Sequence, residues 1–155
     1  MLERQRLRTD TRVTSRGATL AEPLTHFPLP MLRNALAVLA GFVVWTVVFL
    51  GLAAAVRALF PADHGPDGSV TALLPLLVYL VLTALASLGA GYTAARIATA
   101  AVPRTVLVLG AILLAVGIAV QVSSWSLAPS WYNVVFLLLL LPLTVVGGRL
   151  APARR

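Results

Sequence analysis

The chain has 155 residues, 59% of them hydrophobic and 11% charged, and its mean hydropathy of +0.94 places it well outside the soluble range of ~45–50% apolar and ~25% charged. Twelve basic residues against five acidic ones give a formal charge of +7, yet they stand at the edges of apolar blocks with no aromatic-interleaved patch on which bases could stack, which argues against a nucleic-acid partner. Cysteine is absent, excluding a disulfide framework, a thiolate nucleophile and a cysteine metal site.

Every basic residue is arginine, and Ala, Leu, Val and Gly dominate, the bias of GC-rich coding. Residues 1–30 carry Arg4, Arg6, Arg8, Arg12 and Arg16 against Glu3, Asp10 and Glu22 with almost no apolar periodicity, and read as a disordered basic cytoplasmic tail. Near anionic headgroups each such arginine contributes about 1 kcal/mol. Met31, followed by Leu32-Arg33-Asn34 and an apolar block, offers an alternative start that would leave the tail untranslated.

The first block, 35–56, runs 22 residues without a charge, roughly 33 Å of helix at 1.5 Å per residue. The following segment, from Arg57 to Ser69, holds two prolines, two glycines, two aspartates and His64, which is turn chemistry. A second span is predicted over 71–95, with Pro75 near its start where proline is tolerated. Arg96 closes it, and Pro103-Arg104 leads into a short third span over 105–122. Residues 123–133, with Trp125, Trp131 and Tyr132 beside Pro129, suit the headgroup level. The fourth span, 134–150, contains Pro142, which should kink it.

Four spans put eleven arginines on one side and only Arg57 on the other, six against one if the chain starts at Met31. The positive-inside rule then places both termini in the cytoplasm.

None of the four apolar blocks holds an Asp, Glu, His, Lys or Arg at membrane depth, where relays and coupled carriers need one. Without lysine there is neither a Walker phosphate loop nor a Schiff base, and no catalytic residue or cofactor is expected. Asp63-His64-x-x-Asp67 has nitrogen and oxygen donors for a divalent cation, but three ligands without a fourth are better read as a turn. Small residues form the more telling pattern: Thr83, Ser87, Gly91 and Ala95 recur every four residues on one face, a ridge that admits a close neighbour. Ala37 with Gly41, and Gly110 with Gly117, offer further packing positions. Gln121 is the one strongly polar side chain near a span's end and is expected to make a polar contact capping the bundle.

The stretch from Gly89 to Ala98, in which Gly-Ala-Gly-Tyr precedes Thr-Ala-Ala-Arg, resembles the exit of the second helix in small bacterial four-span membrane proteins. That resemblance implies a fold and no site. Together these features predict an all-α polytopic protein, an antiparallel bundle of four transmembrane helices in a bacterial inner membrane. The function expected is non-catalytic: an accessory or scaffolding subunit that packs against itself or a larger membrane protein. The rival is a small oligomeric channel or carrier for a neutral or apolar solute, lined by Thr46, Thr83, Ser87 and Gln121.

Overall fold

In hydrocarbon a backbone must satisfy its own amides, and for a short chain of apolar stretches the α-helix does this. The computed structural model describes residues 29–152, and its helices are α1 (Leu29–Leu59), α2 (Leu73–Ile97), α3 (Val102–Ser123) and α4 (Ser130–Leu150). All four are long and apolar enough to cross a membrane. The chain is thus an integral, multi-pass membrane protein built as an all-α four-helix bundle.

The helices outrun the expected spans. Leu29 and Pro30, assigned to the tail, already belong to α1, and the rest of that tail lies outside the described residues. At 22 residues α3 is long enough, with the turn at Val102-Pro103 included. A further difference is in α4, where Ser130 to Asn133 are helical although their composition reads as interfacial loop. Pro129 precedes them and can end the loop without sacrificing an amide donor. Pro142 lies inside a continuous α4 with its ring exposed.

Successive helices run antiparallel, but the order in space is not the order in sequence. α2 packs most extensively on α4 and α1, α4 also packs on α3, and the α1–α3 and α2–α3 contacts are smaller. Since α2 and α4 run the same way, the largest interface joins a parallel pair. Two apolar groups fill the middle. One gathers Ala90, Ala94 and Ala95 with Val106, Leu109 and Leu113; the other gathers Val70 and Leu76 with Tyr132, Phe136 and Leu140.

The α2–α4 contact exists because Gly91 has no side chain. A Cβ there would overlap the Thr144 carbonyl and lie 2.9 Å from the Gly148 nitrogen; one on Gly147 would lie 2.7 Å from the Leu88 Cα. Thr144 itself donates to the Leu140 carbonyl at 2.7 Å, so its hydroxyl is satisfied within its own helix.

Both ends of the bundle are fastened by polar contacts. At the arginine-rich end Asn34 donates to the Ala100 carbonyl at 2.8 Å and accepts from the Thr99 amide at 3.3 Å, pinning α1 to the α2–α3 connection. At the Arg57 end the loop after α1 makes a small hairpin. His64 and Val70 bridge antiparallel, Gly68 donates to the Gly65 carbonyl at 2.9 Å, and Gly68 takes the left-handed conformation at φ 86°. Pro66 and Asp67 occupy the turn's centre, the positions where their types are favoured. The Val70 amide then donates to the Leu127 carbonyl at 2.8 Å, joining this hairpin to the α3–α4 loop.

Asp67 closes the hairpin by accepting from the Ser69 hydroxyl at 2.7 Å and the Ser69 amide at 3.0 Å. The hydroxyl bond first, then the amide, hold its carboxyl below the usual value. A carboxyl lowered in the fold favours the folded turn above its ordinary titration range, and the preference is lost as pH falls through the lowered value. Ser69→Ala should therefore raise the Asp67 titration part of the way toward the ordinary ~3.9, read by carboxyl NMR in micelles. An unmoved titration would mean that the hydroxyl does not hold the carboxylate.

Candidate functional site

The packing residues singled out by spacing all lie inside the bundle. Thr83, Ser87, Gly91 and Ala95 are buried along one face of α2. Ala37 is fully buried, and a Cβ on Gly41 would lie 3.0 Å from the Ala90 carbonyl and 3.2 Å from the Ala94 Cβ. Gly110 faces Leu141, and Gly117 faces Leu140, Leu137 and Phe136. The bundle itself therefore occupies these faces. Those without an inward role are elsewhere: nothing approaches a Cβ built on Gly51 or Gly89.

Of the polar side chains proposed for a solute path, Thr46, Thr83 and Ser87 are likewise engaged. Thr46 donates to the Phe42 carbonyl at 2.9 Å, Thr83 to the Tyr79 carbonyl at 2.8 Å, and Trp45 Nε1 to Ser87 Oγ at 3.1 Å. Between them Leu109, Leu113, Leu140, Ala86 and Ala90 are almost wholly buried.

Two cavities lie at the ends of the bundle. At the arginine-rich end a cleft of about 600 Å³ lies among the end of α2, the start of α3 and the end of α4; Val102, Val106, Val145 and Ala151 make it mainly apolar, with Arg149 on its wall. At the Arg57 end a smaller pocket of about 190 Å³ is bounded by all four helices and both loops. The Val70–Leu127 bond closes the two loops around it.

The smaller pocket is where polar chemistry collects. His64 Nδ1 is 2.7 Å from the Phe60 carbonyl, which can only accept, so Nδ1 carries the proton. Nε2 lies 3.0 Å from the Tyr79 hydroxyl, which is also 3.5 Å from the Ala53 carbonyl. Gln121 and Tyr132 also line this space, each 8% exposed. Among the described residues no hydrogen bond reaches either the Gln121 amide or the Tyr132 hydroxyl, so the capping contact expected of Gln121 is not made. Arg57 stands on the wall, and among the described residues it has no ion pair with Asp63 or Asp67. Asp67 is turned onto Ser69 instead. Among the described residues no three His, Cys, Asp or Glu side chains gather as a metal site would require.

No protein-family model, curated protein or solved structure matches the chain.

Sequence reasoning singled out Gln121, Arg57 and His64, read Tyr132 only as an interfacial ring and missed Tyr79. Tyr79 lies between one and two turns into α2 and Tyr132 in the first turn of α4, places where an aromatic ring can stay in hydrocarbon while its hydroxyl reaches a polar partner.

Proposed function

We propose that the protein is a non-catalytic accessory or scaffolding subunit of a bacterial inner membrane, with both termini cytoplasmic, that works by binding rather than by passage or chemistry. The observation that carries this reading is the filled middle of the bundle. Leucine and alanine separate the two end cavities, and the polar groups there bond to the helices themselves. No Asp, Glu, His or Lys lies within α1 to α4, so neither a charge relay nor a coupled ion has a foothold at membrane depth.

The ends of the helices support the orientation. Arg33, Arg96, Arg104 and Arg149 stand at one end and Arg57 at the other, as the positive-inside rule requires of cytoplasmic termini. For a partner, the exposed surface is apolar, and α1 is the most exposed of the helices. Leu36, Leu39, Val43, Val47 and Leu50 face outward along it. Lipid, a second copy or a larger membrane protein would meet these side chains.

Two measurements test this. Extraction in mild detergent followed by native mass measurement should give an oligomer or a complex, and a strictly monomeric species with nothing bound would count heavily against it. In sealed liposomes the protein should leave permeability to ions, water and small neutral solutes unchanged. Reproducible flux of any of them would replace this reading with that of a channel or carrier built between copies.

A further inference from the structure

A buried polar atom without a hydrogen bond is costly, on the order of 1–3 kcal/mol, and native proteins keep few of them. The pocket at the Arg57 end holds two polar side chains of this kind on different helices. Gln121 of α3 and Tyr132 of α4 are each more than nine-tenths buried, and neither makes a hydrogen bond among the described residues. Their polar atoms are not sealed either: the Oδ1 of Asn133 is the side-chain atom that is both sealed and unpartnered among the described residues. The amide and the hydroxyl thus keep access to the pocket they line.

The surroundings define what would satisfy them. Among the described residues Arg57 is the one formally charged side chain on the wall, and no acidic residue lines it. Tyr132 can donate one proton and Gln121 two, while the guanidinium adds a fork of donors that matches phosphate oxygens. The neighbouring His64–Tyr79 pair is already closed on itself and on the Phe60 carbonyl, so it shapes the wall without competing for the ligand. Phe49 and Tyr132 on the wall both pack against the Phe136 ring, which makes that side of the pocket apolar. A positive charge beside a low-dielectric wall concentrates anions.

Depth gives the remaining constraint. Trp125 and Trp131, both exposed, flank the pocket on the same end of the bundle, and such rings settle at the headgroup level. We propose that this pocket binds an anionic phosphate group, with Gln121 and Tyr132 as its buried donors and Arg57 as its counter-charge. Two sources carry that chemistry, the phosphodiester of an anionic lipid and free inorganic phosphate.

The test uses the full chain in dodecyl maltoside micelles, which carry no phosphate, in phosphate-free buffer. In one arm phosphatidylglycerol is added to the micelles; in the other, inorganic phosphate is added to the buffer. A ligand that binds only the folded state raises its unfolding temperature, so at least one arm should shift the wild-type protein upward. A shift confined to the first arm assigns a lipid headgroup, and one confined to the second assigns free phosphate. Tyr132→Phe and Gln121→Met should each weaken binding about tenfold or more, the effect of removing one bond to a charged group, and Arg57→Gln should do the same. Neither Tyr132→Phe nor Gln121→Met breaks a bond made in the ligand-free protein, so each should unfold without ligand at the wild-type temperature or above it. The two variants lie on different helices, and either one alone suffices for the comparison. Absence of a shift in both arms would overturn the proposal. So would variants that shift as much as wild type, or a fall in ligand-free stability showing that these side chains serve the fold.

Discussion

Gly91→Ala should cost the bundle about 3 kcal/mol, the upper end of the range for overpacking a core, whereas Gly89→Ala two residues away should be neutral or stabilising by up to ~1 kcal/mol. The contrast follows from what each Cβ would meet. At Gly91 it would enter the Thr144 carbonyl and approach the Gly148 nitrogen, and neither can rotate aside because both belong to the backbone of α4. At Gly89 nothing lies within 4 Å, so alanine brings only its higher helix propensity. Interhelical hydrogen bonds in membranes average ~0.6 kcal/mol, and the Trp45–Ser87 bond therefore has much less leverage than this contact. Unfolding by titrated SDS, followed by tryptophan fluorescence in mixed micelles, separates the two variants. Equal stabilities would mean that α2 and α4 do not meet at Gly91.

The second large effect is expected at Asn133, which is fully buried near the start of α4. Its Nδ2 donates to the Trp125 carbonyl at 3.1 Å and, at the longer 3.5 Å, to the Ala128 carbonyl. The amide thus holds the α3–α4 loop in place and satisfies a carbonyl that the short 3-10 turn of residues Trp125–Leu127 leaves over. Asn133→Leu should destabilise by about 1–3 kcal/mol, because the loop carbonyls lose their donor. Asn133→Asp should be worse than leucine at neutral pH, since a carboxylate offers acceptors to groups that are themselves acceptors. The same SDS titration ranks the series, and a leucine variant as stable as wild type would show that the loop is held by other contacts, chiefly the Val70–Leu127 bond.

The spans were legible because hydrocarbon leaves little freedom. An uncharged run such as 35–56 has to be helical to satisfy its backbone, and the arginines at the ends mark where it leaves the membrane. The ends of the helices were less legible for a related reason. Ser130 to Asn133 look like a loop when judged by polarity, yet Asn133 points inward and the aromatic rings beside it tolerate the interface, so the helix continues through them. The order of the helices in space was not legible at all. In soluble helices a polar face identifies the outside, but here Leu36 toward lipid and Leu109 in the core are the same residue type. The spacing of Thr83, Ser87, Gly91 and Ala95 marked a close-packing face and left its partner open. Because α2 and α3 are joined by four residues, chain connectivity points to α3, while the structure sets Gly91 against Thr144 and Gly148 of α4 and Ser87 against Trp45 of α1.

The pocket was legible only in fragments. Arg57, His64 and Gln121 drew notice as the polar residues near one end, each with a bland local explanation. What assembles them with Tyr79 and Tyr132 is the Val70–Leu127 bond between two loops far apart in sequence, and no local pattern encodes such a bond.

The pairing of α2 with α4 also dictates an order of events during biosynthesis. The second helix leaves the ribosome and enters the lipid long before the last one exists, and synthesis at ~5–20 residues per second leaves it waiting for some seconds with its glycine notch open to lipid. A nascent chain arrested before Ser130 would hold three inserted helices and lack its largest interface. Such an intermediate is the species that a membrane chaperone would need to shield and that a quality-control protease would find easiest to degrade.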